Sequence, residues 1–320
     1  MKKSIYDLFA FADIVSKREK ISKLYLVLDY FVCLIVFSFT IREYFSLAAY
    51  KMSFRNKKTY VTYRRAKKLE KWFNQSGEGI LLNDKALFNK TFKEYVSRNW
   101  LNLDEATDEE ITIFLKNNTN VLLKPRKMSS GIGICVPNSF NDIVNNKHDN
   151  LLEERLFNHP TIKQFSDKSL NTIRIYTLKQ LGGEIIFLSA CLRVGERGSL
   201  IDNMHGGGHS VAINIDTGKL SGVGRSYDGT TYQNNPFSGL KYDGIQLPFW
   251  SEVLQSVRYA CNQLKEVRYN AWDIAITSIG VELIEGNVNP DPNLMQMHLK
   301  EGNWHVFKTV HHMDLKKVKK

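Results

Sequence analysis

Trp272-Asp273-Ile274-Ala275-Ile276-Thr277, Ser278-Ile279-Gly280 and Val281-Glu282-Leu283-Ile284-Glu285-Gly286-Asn287 follow one another without a break. Two apolar runs around a three-residue loop ending in Gly predict a β-hairpin, with Gly280 at the left-handed position of the turn. Counting outward from a Thr277–Val281 pair sets Ala275 opposite Leu283 and Asp273 opposite Glu285, all on one face. Asn287 falls two residues further along the same face. Opposed carboxylates repel, and Ala275, Val281 and Leu283 make this a half-buried face, so positive charge belongs between Asp273 and Glu285. A hard cation with oxygen ligands resolves the repulsion. Mg²⁺ is typically held by one or two carboxylates and phosphate oxygens, and the Asn287 amide oxygen completes the protein's share. The alternative is a solvated hairpin whose carboxylates face water.

Upstream, residues 171–178 and 185–194 alternate as strands about Gly182-Gly183, which sets Thr172 opposite Arg193 and Arg174 opposite Cys191. Two guanidiniums on one strand face suggest an anionic partner such as phosphate or carboxylate, with internal salt bridges as the alternative. Residues 211–215 and 220–227 form a further pair about Asp216-Thr217-Gly218, and 250–267 have the spacing of an amphipathic helix. Val121-Leu122-Leu123 ends at Lys124-Pro125, opens into Ser129-Ser130-Gly131-Ile132-Gly133 and resumes at Ile134-Cys135-Val136, as strand, loop and strand. Lys124 can neutralise phosphate beside a loop whose backbone amides approach closely, although no Gly-Lys-Ser/Thr follows. Residues 151–156 are a short mixed segment rich in carboxylates. Asn203-Met204-His205-Gly206-Gly207-Gly208-His209 is a Gly-rich loop suited to a ligand or a lid, and its two histidines are more often structural than catalytic in such a setting. No Ser/His/Asp or Cys/His order marks covalent catalysis.

Residues 21–75 read as helices, 84–96 as another, and Thr107 with Glu110 as a capping box for a helix ending near Lys116. Helices followed by mostly antiparallel strands make the fold class α+β, not a doubly wound parallel sheet. The divisions are an N-terminal helical region over 1–83, a small lobe over 84–150 carrying the phosphate loop, and a C-terminal lobe over 151–320. Residues 24–41 approach the length of a membrane span, but Asp29 sits inside them. A buried or partner-facing helix is the expectation, with peripheral membrane contact as the alternative that the basic residues following the segment support.

The 320 residues carry a formal charge of +11, with 43% hydrophobic and 24% charged residues, an ordinary globular balance. The charge favours anionic partners, and its excess gathers in 55–71 and at Lys316, Lys317, Lys319 and Lys320. No recognised nucleic-acid module accompanies it. Cys33, Cys135, Cys191 and Cys261 are dispersed and Met1-Lys2-Lys3-Ser4 opens no signal peptide, so a cytoplasmic setting is expected.

The ordered set Lys124-Pro125 with its small-residue loop, Glu153-Glu154-Arg155-Leu156, Asn171-Thr172-Ile173-Arg174, Asn203 before three glycines, and Asp273 with Glu285-Gly286-Asn287 resembles the ATP-grasp superfamily. It is most similar to the sugar-transfer-associated branch found with surface-polysaccharide synthesis. The resemblance spans about residues 84–296 and implies two α+β lobes clasping ATP. It implies phosphate contacts from Lys90 and Lys124, with Lys85 and Lys93 as alternatives to Lys90, and from Ser130 and Gly131 in the loop. It further implies Glu153, Glu154 and Leu156 against adenine and ribose, Asn203 at the nucleotide, and Mg²⁺ on Asp273, Glu285 and Asn287. Arg174 and Arg193 would stabilise the transferring group. The implied chemistry is phosphorylation of a carboxylate followed by attack of an amine, joining an amino acid to an acidic sugar of a glycan or its precursor. A non-catalytic nucleotide-binding scaffold of a membrane-associated glycan assembly is the other class of function.

Overall fold

The computed structural model describes residues 2–75, 77–129, 131–166 and 168–318. Ten strands are described: β1 (Trp100–Asn102), β2 (Val121–Pro125), β3 (Asn150–Glu154), β4 (Ile173–Lys179), β5 (Ile185–Val194), β6 (His209–Ile213), β7 (Leu220–Arg225), β8 (Thr231–Tyr232), β9 (Tyr269–Thr277) and β10 (Gly280–Val288). They form a small sheet ordered β1-β3-β2 and a large one ordered β10-β9-β4-β5-β6-β7-β8, antiparallel at every pairing. The expected α+β plan is the observed one.

Alternation along β4 and β9 divides the large sheet between two cores. Ile173, Ile175, Trp272, Ile274 and Ile276 pack with Val253, Val257 and Cys261 of the helix Trp250–Gln263. On the other face Tyr176, Leu178, Tyr269 and Ala271 share a core with Leu8, Leu26, Tyr44 and Phe73 of the N-terminal helices and Phe307 of the helix Trp304–Val318. The N-terminal helices are therefore the cover of one sheet face. The small sheet has its own core, in which Leu123 and Leu152 meet Ile111, Phe114 and Ile143.

The helix Asp108–Asn117 begins in the predicted capping box, with Thr107 Oγ1 accepting from the Glu110 amide at 3.2 Å. The predicted helix 84–96 divides into Lys85–Thr91, capped by the Asp84 carboxylate, and a 3₁₀ turn Lys93–Tyr95. Residues 151–156 contain the central strand of the small sheet, which the sequence hides because Glu153 and Glu154 interrupt its apolar run. The strand expected at 134–136 reduces to a single bridge, Leu123–Cys135. A further helix, Lys2–Glu19, precedes those read over 21–75 and lies within the helical region expected over 1–83. The helix Lys23–Phe37 accommodates Asp29 by turning it inward, where both carboxylate oxygens accept from Lys57 Nζ at 2.9 and 3.0 Å and Tyr44 donates at 2.9 Å. Among the described residues no helix is long and apolar enough to cross a membrane.

The hairpin register differs from the counted one. Gly280 pairs with Thr277 across a two-residue turn, so Ala275 faces Glu282 rather than Leu283. A β-bulge between Leu283 and Glu285 then inserts Ile284 and returns Glu285 to a position opposite Asp273. The count reached the right carboxylate pair because one extra residue in β10 cancels the shorter turn, and a bulge beside a site commonly re-aims side chains in this way.

Candidate functional site

Glu285, Asp273, Arg174 and Cys191 form one row across β10, β9, β4 and β5. Arg174 donates Nε to Asp273 Oδ1 at 2.6 Å and Nη2 to Oδ2 at 2.5 Å, with Glu285 Oε1 at 3.7 Å from the same Nη2. Arg193, two residues along β5 from Cys191, donates Nη2 to Asp273 Oδ2 at 3.0 Å and to Thr172 Oγ1 at 2.7 Å, and pairs with Asp202 at 3.0 Å. The positive charge demanded by the opposed carboxylates is thus supplied by two guanidiniums, each set in internal ion pairs. Burial alone would raise the Asp273 carboxyl, but the two arginines outweigh it and hold the group down at about 2. Glu285 is pushed up instead, by burial and by Asp273 beside it, and burial likewise raises Asp202.

The row lies on the face of the large sheet that the small sheet overhangs. A cavity of about 300 Å³ separates them, with Leu122, Lys124, Ser129 and Gly131 on one side and Arg174, Arg193, Asp273, Glu285 and Asn287 on the other. Leu200 to Met204 and Asn289 to Asp291 close its edges. Beyond Lys124 the space narrows into a slot between Leu122, Leu170 and Leu200, bordered by Glu154, Arg155 and Leu156. This apolar slot, about 20 Å³ and so room for little more than a water, opens off the polar floor of the larger cavity.

The structure gathers most of the predicted residues and displaces two. Lys124 lines the cavity and donates to Glu153 at 2.5 Å. Lys90 is exposed on the outer side of its helix, 3.8 Å from Glu105, and is absent from the cavity wall. Lys85, one turn earlier, faces inward instead, its Nζ donating to the carbonyls of Pro125 and Met128 at the root of the loop. Its burial depresses its pKa, and Glu285, Lys124 and Glu153 all act on it. Glu153, expected at adenine and ribose, is buried beneath Lys124 and lines neither space. It joins Lys124, Arg98 and Asn89 in a network that Arg98 extends to Glu282, and these cations hold its carboxyl well below the usual range against the effect of burial. Glu154 borders the slot and accepts from the Asn99 amide at 3.1 Å. Asn203 lines the cavity, its carbonyl accepting from Gly206 and Gly208 at 3.1 and 3.2 Å. Gly131 has φ +72°, and a Cβ there would stand 2.4 Å from Ile201 Cδ1, so the loop needs glycine at this point. Ser130 lies outside the described residues.

Thr172 was already counted opposite Arg193, but Asp202, which holds both of them, escaped the sequence reading because only the fold brings the segment before the Gly-rich loop against β4. Tyr227 and Asp291, joined at 3.2 Å at the far end of the cavity, were missed for the same reason. His209 is buried against Tyr242 and its pKa falls to about 4, which makes it part of the packing.

Among the described residues no three His, Cys, Asp or Glu gather to hold a metal. The candidate set is two carboxylates and an amide: Asp273 opposite Glu285, with Asn287 Nδ2 3.5 Å from Glu285 Oε1. These are hard oxygen donors of the kind Mg²⁺ takes when phosphate completes the shell, and both Asp273 oxygens are already engaged by Arg174 and Arg193.

Curated proteins offer no match. Among solved structures, D-alanyl-alanine synthetase A from Vibrio cholerae O1 biovar eltor str. N16961 is similar at 9% identity and a TM-score of 0.48, over 75% of this chain and 66% of that one. The D-alanine-D-alanine ligase from Coxiella burnetii is similar at 10% identity and 0.46, over 76% and 60%. N5-carboxyaminoimidazole ribonucleotide synthetase from Thermotoga maritima is similar at 12% identity and 0.40, over 65% and 42%. This chain thus spans less than two thirds of the length of each of these structures. The model of the sugar-transfer associated ATP-grasp family matches residues 138–312, more than half of the chain, and the chain belongs to that family.

Proposed function

We propose that this protein is an ATP-dependent carboxylate–amine ligase whose substrates are an acidic sugar or glycan precursor and an amino acid or other amine. The observation that carries the proposal is the row of Glu285, Asp273 and Arg174, with Arg193 beside it, on the floor of a cleft with an apolar slot at one end. In the proposed reaction a substrate carboxylate oxygen bonds to the γ-phosphorus of ATP as the bond to ADP breaks. The amine nitrogen then bonds to the acyl carbon of the resulting acyl phosphate, releasing inorganic phosphate and a proton. No side chain becomes covalently attached, in keeping with the lack of a nucleophile–base pair in the sequence.

Mg²⁺ held by Asp273, Glu285 and Asn287 would neutralise phosphate oxygens and orient them. Lys124, at the mouth of the slot, is positioned to bind phosphate, and Gly131 lets the loop backbone approach it closely. Arg174 and Arg193 would stabilise charge on the transferring group and on the tetrahedral intermediate, because they are held in place before the reaction begins. Leu156, Leu122, Leu170 and Leu200 would flank the base, and their slot would have to widen from about 20 Å³ to admit it. The sugar side of the proposal rests on the sugar-transfer association of the family and on the basic surface, and places the protein at the cytoplasmic side of a membrane in capsule or related polysaccharide synthesis.

The test is ADP release across a panel of acidic sugars and amino acids, comparing wild type with Asp273→Asn and Glu285→Gln. A substrate pair that stimulates release in wild type alone supports the ligase. If no pair does, and ATP binding is indifferent to Mg²⁺, the protein is a nucleotide-binding scaffold instead.

A further inference from the structure

Every exposed position of the helix Lys23–Phe37 is apolar, among them Leu28, Phe31, Val32 and Ile35, the last 76% exposed. The opposite side of the helix, with Leu26, Tyr30 and Cys33, is buried in the core. At about 1.5 Å per residue the bare stripe is roughly 22 Å long. Its one carboxylate does not interrupt it, because Asp29 is turned inward onto Lys57 and Tyr44. Exposed apolar residues of the preceding helix, Ile5 and Phe9, widen the patch. Contiguous apolar surface on this scale marks an interaction site.

We propose that this helical hairpin docks on the interfacial layer of an anionic lipid bilayer, lying in the surface without crossing it. Charge selects this occupant over a protein partner. Residues 1–83 hold sixteen Lys and Arg against seven Asp and Glu, which is nine of the eleven net positive charges of the whole chain. Cations flank the stripe at both ends and sit over its aromatic rings: Lys23 is 5.9 Å from the centre of Phe9, and Lys58 is 4.8 Å from that of Phe54. Phe54 in turn packs edge-on against Phe37 at the end of the helix. Apolar residues between snorkelling cations are the pattern of a helix that sinks its face below the headgroups and leaves its charges among them.

The position of the hairpin gives docking a use. A groove of about 580 Å³ runs from Tyr30 and Leu34 of this helix to Asp291 and Pro292, and Asp291 also lines the cleft. On the ligase reading, a docked protein would hold an acceptor carried in the membrane at the mouth of a groove that leads to the reacting row.

The test is flotation of the full chain, without nucleotide, on phosphatidylcholine vesicles with and without phosphatidylglycerol. Binding at least about tenfold stronger to the mixed vesicles, weakened by salt, is expected. The double variant Phe31→Glu with Ile35→Glu should lose that binding while keeping the wild-type melting temperature and affinity for a fluorescent ATP analogue, since both side chains are exposed. Equal recovery of wild type and variant with the vesicles, equal binding to neutral vesicles, or self-association through this face without vesicle binding would each overturn the proposal. None of these outcomes depends on ligase activity, so docking and catalysis can fail separately.

Discussion

Arg174 and Asp273, neighbours on β4 and β9, meet in a two-pronged ion pair at 2.6 and 2.5 Å inside the sheet, and the same carboxylate also holds Arg193. Breaking a buried pair from one side leaves an uncompensated charge, at about 3–5 kcal/mol. Asp273→Asn should therefore lower the urea midpoint as well as remove ADP release. Glu285→Gln should abolish ADP release with a much smaller loss of stability, since Glu285 stands 3.7 Å from Arg174 and is itself pushed toward the neutral form. Equal destabilisation by the two substitutions would contradict this account.

The same carboxylate sets an acid limit. Asp273 lies at about 2 in the folded protein against an ordinary 3.8, so its contribution is present above pH 4 and is lost as the pH falls through 2. The shift corresponds to about 2 kcal/mol. Urea titrations between pH 5 and pH 2 should show wild type losing that much more than Asp273→Asn.

Glu43 has the opposite sign. It is the third residue of a capped helix, with the Thr40 amide donating to it at 2.7 Å, yet burial pushes its carboxyl from 4.5 to about 7. The protonated form is favoured by folding, so its stabilisation is present below pH 4.5 and disappears as the pH rises through 7. Glu43→Gln keeps the capping geometry and removes the titration. Melts from pH 4.5 to pH 8 should show the variant gaining on wild type by up to about 3 kcal/mol.

Among the lysines near the small sheet, the geometry separates structure from binding. Lys90→Ala should leave the affinity for ATP unchanged, because its amine points away from the cleft toward Glu105. Lys124→Ala should weaken binding by tenfold or more, given charge-assisted contacts to phosphate of about 1.5–3 kcal/mol. Isothermal titration with a non-hydrolysable ATP analogue distinguishes the two. Glu153→Ala should show itself first as lost stability, since it strands both Arg98 and Lys124 in the interior.

The predicted carboxylate pair shows how much was legible in advance. Asp273 opposite Glu285 could be counted from the hairpin because strand periodicity is two and the loop is short, and the pairing of Arg174 with Cys191 followed in the same way from Gly182-Gly183. Local patterns of this kind carry their own geometry, and so did the capping box at Thr107 and the strand that ends at Lys124-Pro125. The count nevertheless missed the bulge at Ile284, since one extra residue in a strand leaves no mark on its polarity.

What tertiary structure alone decided is which charges meet. Helix periodicity offered Lys85, Lys90 and Lys93 as rivals, and only packing against the phosphate loop turned Lys85 inward and left Lys90 outside. Glu153 looked like a ligand in sequence, but as the central strand of a small sheet its segment had to bury that carboxylate, and two cations from distant segments came with it. The same holds for Asp29, which counted against a membrane span in the sequence and which folding turns inward, leaving the outer face of its helix wholly apolar. The sequence determined the hairpin, the arginine strands and the family, because those signals are local or ordered along the chain. The partners of each buried charge are set by segments as much as about two hundred residues away, and no local pattern records them.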